Sequence, residues 1–228
     1  QVDFKELMLR QKRFKGEESK ASEDYAHVCK VEKQLFEEGK RNYKKYKDLP
    51  PHAVKMPERD PLERSRNFKE VNLGYTMADA LAEAERCIMC TKPTCIEGCP
   101  VGIDIPRFIR HLLVRDLDGA RAVINESNLF PSVCGRVCPQ ESQCEVQCQV
   151  GRNKKTPMEP VAIGRLERFV GDNAPASTAA PPQFERRLGR VAIVGSGPSG
   201  LAVAADLAKY GCDATVFEAL HVVGGVLQ

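Results

Sequence analysis

Residues 87–100 read CIMCTKPTCIEGCP and residues 134–148 read CGRVCPQESQCEVQC, so eight cysteines fall into two groups of four. The first group is Cys87, Cys90, Cys95 and Cys99, and the second is Cys134, Cys138, Cys144 and Cys148. Four-cysteine zinc sites usually pair two short C-x2-C knuckles. Here Cys87, Cys90 and Cys95 crowd into nine residues, a spacing that suits one corner of an iron-sulfur cube. In two-cluster ferredoxins the remaining cysteine, followed by proline, reaches across to the other cluster. Cys99-Pro100 and Cys138-Pro139 both have that form. The spacing therefore favours two 4Fe-4S clusters with crossed ligation, against a competing reading in which two zinc ions staple a small helical domain.

The chain has ten cysteines, and the two outside these groups, Cys29 and Cys212, read as ordinary thiols, Cys212 in the loop after Gly211. Bunched cysteines without an export signal point to metal in a reducing compartment rather than to disulfides, so the expected location is cytoplasmic. The first twenty residues hold no short hydrophobic core ahead of a cleavage site, and no run of about 18 apolar residues is present, so membrane insertion is not expected. Lys and Arg number 34 against 31 Asp and Glu, too small an excess to make nucleic acid the expected partner. The run KRNYKKYK at 40–47 interleaves Tyr with bases, but neighbouring acids balance it and a solvated helix face is the simpler reading. His27, His52, His111 and His221 have no metal or acid-base spacing, no nucleophile pairing is visible, and no catalytic residue is assigned.

Four segments follow from composition and periodicity. Residues 1–56 form a charged helical extension, with breaks near Gly16 and Gly39 and an extended connector punctuated by Pro50, Pro51, Pro57 and Pro61. Residues 57–172 read as all-helical. Thr76 caps a helix whose stripe is Met77, Ala80, Leu81, Ala84 and Ile88, and Asp104 caps a second carrying Ile105, Phe108, Ile109, Leu112 and Leu113. Further helices are predicted over 118–126, 140–148 and 160–170. Residues 173–189, with NAPASTAAPPQ, read as a linker. Residues 190–228 switch to a buried-strand period in RVAIV, then an Ala-rich helix, then ATVFE, a β-α-β unit. Only 38 residues run from Val191 to Gln228, so the chain is expected to stop inside a larger dinucleotide-binding domain.

Between strand and helix stands Gly195-Ser196-Gly197-Pro198-Ser199-Gly200, and Glu218 closes the second strand 18 residues later. Gly195 suits the tight turn, Gly197 the approach of a pyrophosphate to the backbone, and Gly200 close helix-strand packing. Glu218 is placed to accept from ribose hydroxyls.

The stretch NFKEVNLGYTMADALAEAERCIMCTKPTCIEGCPVGIDIPRFI, with CGRVCPQESQCEVQCQVG, AIGRLERFV and VAIVGSGPSG, closely resembles the N-terminal part of the glutamate synthase small subunit family. It is similar also to modules of dihydropyrimidine dehydrogenase and of the large subunit of NADH-dependent ferredoxin:NADP oxidoreductase. The resemblance covers about residues 57–228 and implies an α-helical ferredoxin-like domain with two clusters, followed by the start of a Rossmann-type FAD-binding domain. It assigns Cys87, Cys90, Cys95 and Cys148 to one cluster and Cys99, Cys138 and Cys144 to the other. The fourth ligand of the second cluster stays open between Cys134 and Glu167, the latter standing where dihydropyrimidine dehydrogenase has a glutamine. Glu167 also reads as a surface helix residue beside Arg165 and Arg168. The glycine turn with Glu218, Gly224 and Gly225 is implied to hold FAD, with NAD(P)H bound further along the intact protein. The implied function is an NAD(P)H-dependent oxidoreductase that passes electrons through the clusters to a partner subunit or domain, glutamate synthase large subunit-like or ferredoxin-like, in a hetero-oligomer. On that reading the 228 residues alone are inactive and do not retain FAD tightly. A non-catalytic iron-sulfur docking module that assembles a larger redox complex is the alternative.

Overall fold

The computed structural model describes residues 46–153, 155, 157–174 and 188–228, which fall into two compact units, 46–174 and 188–228. The expected helices of residues 1–45, with Cys29, and most of the 173–189 linker lie outside the described residues. No described helix is long and apolar enough to cross a membrane.

The first unit is helical and begins before residue 57. Leu49 and Met56 are buried in its core, so the proline-rich connector lies docked on the helices. Tyr46 at its start donates from its hydroxyl to the Val150 carbonyl. The chain then leaves the body as a small excursion closed by an antiparallel bridge between Glu58 and Asn72, with α1 (Pro61–Arg64) inside it. Helix α2 (Met77–Ala84) starts at a full capping box: Thr76 Oγ1 accepts from the Asp79 amide at 3.2 Å, and Asp79 Oδ2 accepts from the Thr76 amide at 3.0 Å. After the four-residue α3 (Thr94–Glu97), α4 (Ile105–Leu113) is capped by Asp104, whose carboxylate accepts from the Arg107 amide. Its buried face, with Ile105, Phe108, Ile109 and Leu112, is the centre of the core. Arg115 takes a left-handed φ of 62° and reverses the chain into α5 (Leu117–Asn125), which lies against α4 and is capped by Asp116.

Beyond α5 the structure departs from the periodicity. Pro131, at a first-turn position that tolerates its missing N–H, opens α6 (Pro131–Val137), which the sequence reading lacked. The predicted 140–148 helix is instead a 3-10 turn at Gln140–Ser142 and irregular turns, followed by α7 (Gln149–Arg152). A continuous helix would put Cys144 and Cys148 on one face, whereas the folded chain sends them to different neighbourhoods. Finally α8 (Ile163–Asn173) packs along α6 more extensively than any other two described helices pack. Gly135 permits this approach, since a Cβ there would stand 2.6 Å from the Arg168 amide nitrogen.

A buried ion pair ties these pieces together. Arg86 Nη1 donates to Glu83 Oε1 at 2.6 Å, and both side chains are fully buried. Glu83 also accepts from the amides of Val54 and Ala162, and Arg86 donates to the carbonyls of Pro50, Glu159 and Pro160. The pair thus fastens the N-terminal strap and the segment before α8 to the end of α2, next to Cys87.

In the second unit β1 (Leu188–Val194), α9 (Pro198–Lys209) and β2 (Cys212–Phe217) form one parallel crossover, with Val191 opposite Ala214 and Ile193 opposite Val216. Cys212 is the first residue of β2, paired with Leu188, rather than a loop residue; Gly211, at φ +82°, makes the turn alone.

Arg86→Ala leaves the Glu83 carboxylate buried without its cation, and breaking a buried pair in this way costs about 3–5 kcal/mol. Denaturant unfolding of the variant is expected to show a loss of that size; a change near zero would mean that the pair carries no net stability.

Candidate functional site

The two cysteine groups are redistributed in space. Cys87, Cys90, Cys95 and Cys148 line a single, partly open cavity whose other walls include Ile105, Ile109, Val161 and Ile163. Cys87 follows α2 directly. Met89, between the first two thiols, has a left-handed φ of 47°, and its amide donates to the Cys87 sulfur. Backbone amides also face the sulfurs of Cys90 and Cys95. Cys148 is brought to Cys95 by a polar tie: Thr94 Oγ1 donates to the Gln147 carbonyl at 2.6 Å and accepts from Gln149 Nε2 at 3.0 Å.

The remaining thiols gather elsewhere. Cys134, Cys138 and Cys144 each interact electrostatically with both Cys99 and Glu167. Gly98 allows the approach, because a Cβ there would meet the Gln143 carbonyl oxygen at 2.6 Å and Cys144 Cα at 3.1 Å. Glu167 is 6% exposed on the face of α8 turned toward α6, so it is not a surface residue; of its arginine neighbours, Arg168 is equally buried and donates to the Asn72 carbonyl, and Arg165 donates to the Val54 carbonyl. Its Oε1 accepts from Asn128 Nδ2 at 2.6 Å.

Among the described residues no three His, Cys, Asp or Glu groups close around one ion. Burial pushes the thiols of Cys87, Cys95 and Cys144 up to about 12 and that of Cys138 up to about 11, and it also raises Cys90 and Cys134. Burial likewise raises Glu167 to about 7, against the lowering effect of the Asn128 hydrogen bond. Such groups hold their protons until a strongly charged centre replaces them.

In the second unit, Gly195 turns the chain at φ +93°, and a Cβ on Gly200 would collide with the Gly195 carbonyl oxygen. Helix α9 has Gly197 as its N-cap with no side-chain cap, and Pro198 occupies the first turn. The amides of Ser199 and Gly200 therefore have no partner within the helix. Glu218 stands at the end of β2, where Oε2 accepts from the Ser196 amide at 2.9 Å and from the Ser196 hydroxyl, and Oε1 accepts from the Leu220 amide at 2.9 Å. The Ser196 hydrogen bond leads the effects that lower its pKa to about 2, so it is a carboxylate throughout the physiological range. The Gly224 amide donates to Ser196 Oγ at 3.0 Å, joining the later glycine pair to the same turn. Of the histidines, His111 is buried and meets Asp116 at 2.8 Å. Asn128 is not marked out by sequence alone, since its one local feature is its place six residues before Cys134.

Residues 64–179 match the family described as dihydropyrimidine dehydrogenase domain II, 4Fe-4S cluster, half of the chain, and residues 193–228 match an NAD(P)-binding Rossmann-like domain. The chain is 35% identical over 174 residues to the NAD-dependent dihydropyrimidine dehydrogenase subunit PreT of Escherichia coli (strain K12), covering 76% of this chain and 40% of that protein. It is 33% identical over 178 residues to the glutamate synthase [NADPH] small chain of Azospirillum brasilense, covering 77% and 36%. It is 34% identical over 168 residues to the putative oxidoreductase UacF of Escherichia coli (strain K12), covering 72% and 26%. The chain thus spans at most about two fifths of the length of these curated relatives.

If the cavity reflects ligation, Cys148→Ser is expected to alter the same paramagnetic signal of the reduced protein as Cys87→Ser. A Cys148→Ser spectrum that changes instead where Cys99→Ser changes it would reverse the assignment.

Proposed function

The chain belongs to the family of dihydropyrimidine dehydrogenase domain II, the 4Fe-4S cluster domain, and from that premise we propose that its helical unit holds two 4Fe-4S clusters and relays electrons. Cys87, Cys90, Cys95 and Cys148 hold one cluster. Cys99, Cys138 and Cys144 hold the other, with Glu167 or Cys134 as the fourth ligand. The intact protein is an NAD(P)H-dependent oxidoreductase, similar to the glutamate synthase small chain and PreT, that delivers electrons to a partner subunit or domain. The observation that carries the reading is the crossing of the cysteines, with Cys148 beside Cys87, Cys90 and Cys95, and Cys99 among the second group.

When bound, the clusters supply one-electron chemistry and the flavin supplies exchange between hydride and single electrons. The residues of the chain supply placement and environment. Amides that face the sulfurs of Cys87, Cys90 and Cys95 favour their deprotonated, ligating form. Ile105, Ile109 and Val161 keep that cavity apolar, and burial and hydrogen bonding to sulfur are the levers that set a cluster's potential. In the second unit the open amides of Ser199 and Gly200 receive a pyrophosphate and Glu218 receives ribose hydroxyls. A permanently ionised Glu218 repels a 2′-phosphate, which supports FAD over NADP for this turn. No residue is required as an acid or base.

Purified without oxygen, the chain is expected to carry about eight iron and eight sulfide, as two cubes require, with broad visible absorption that bleaches on reduction. Zinc in place of iron, or a colourless protein, would overturn the proposal.

A further inference from the structure

Two side chains compete for the fourth position of the second site, and Asn128 touches both. It is 6% exposed, and its own amide donates to the Ile124 carbonyl at 2.8 Å, which fixes it to the end of α5. The orientation of its side chain is dictated by a backbone group. The Phe130 amide can only donate, and it does so to Asn128 Oδ1 at 2.9 Å, so the NH2 must face the other way, toward Glu167 Oε1 at 2.6 Å. The Cys134 sulfur lies 3.5 Å from that same Oδ1, as a donor.

We propose that Asn128 is a positioning residue that presents Glu167 as the fourth ligand of the second site and keeps Cys134 out of it. The inference rests on the reading of Cys99, Cys138 and Cys144 as cluster ligands. A thiolate bound to iron has no proton to give to an amide oxygen, so ligation by Cys134 would forfeit this hydrogen bond, which its sulfur makes while also accepting one from the Cys138 thiol. The hydrogen bond on Glu167 has the opposite consequence: it engages Oε1, aligns the carboxylate and leaves Oε2 for a metal. Ligating carboxylates are commonly held in this way by an outer partner. The close approach of α6 and α8 at Gly135 and Arg168 places their neighbours Cys134 and Glu167 on either side of the Asn128 amide.

The test uses the anaerobically purified, iron-loaded chain. Cys134→Ala is expected to keep the full iron content and both paramagnetic signals. Asn128→Ala is expected to change the line shape and potential of the signal that Cys99→Ser alters, leaving the signal that Cys87→Ser alters, and to release that iron to a chelator about tenfold faster or more. Asn128→Asp separates positioning from mere folding. It retains an acceptor for the Phe130 amide and for Cys134 but has no donor for Glu167, so its second signal is expected to change as in Asn128→Ala, even if the alanine variant fails to fold. A wild-type second signal in Asn128→Asp, or loss of that signal in Cys134→Ala, overturns the assignment. A wild-type chain without iron would instead overturn the cluster reading itself.

Discussion

Cys95 and Cys99 are one helical turn apart in sequence, as are Cys144 and Cys148, yet each pair is divided: Cys95 meets Cys148, and Cys99 meets Cys144. This crossing is the constraint on which the helical unit depends. It requires two distant segments to run beside each other with little between them, which explains the Gly98 contact with the Gln143 carbonyl and the Thr94 bonds to Gln147 and Gln149. Neither segment has enough regular structure to hold itself, since α3 and α7 have four residues each and isolated turns of that length are unstable in water. Their shape is imposed from outside, by side-chain ties and by the core under α4.

The same dependence explains why a buried ion pair stands at the end of α2. Helix α2 delivers Cys87, and its last turn must hold position against two stretches without regular structure, the strap at 50–54 and the segment at 159–162. An apolar contact is non-directional and would let those stretches slide. Glu83 and Arg86 accept and donate five hydrogen bonds to their backbone. Those bonds offset the desolvation of the two charges and specify register, the attribute in which buried polar groups exceed hydrophobic ones.

Local signals were legible in the sequence and tertiary ones were not. Thr76 and Asp104 cap as read because a cap and a 3.6-residue stripe involve only neighbours in sequence. The glycine turn and its terminal acid were legible for the same reason, because strand, turn and helix follow one another directly. Helix α6 was invisible because it is short, opens at a proline and buries only Pro131 among its seven residues. The supposed helix at 140–148 failed for the opposite reason: its composition permits a helix, but Cys144 and Cys148 are needed in different places. Glu167 reads in sequence both as a cluster ligand and, because arginines flank it, as a surface residue, and only the burial of α8 against α6 turns it inward.

Two carboxylates show how environment rather than residue type sets a role. Glu218 is partly exposed and accepts from an amide and a hydroxyl on Ser196 and from the Leu220 amide, so its pKa falls to about 2 and its charge is permanent. Glu167 is enclosed, has one amide donor, and its pKa rises to about 7. The first is fitted to accept hydrogen bonds from neutral hydroxyls, which do not neutralise it and need not. The second has a charge that the protein alone does not compensate, and a buried carboxylate of that kind becomes favourable once a cation adjoins its open oxygen. Hydrogen bonds orient both groups, but only the buried one is left electrostatically incomplete, and that difference is what the proposed roles of a metal-facing and a sugar-facing acid require.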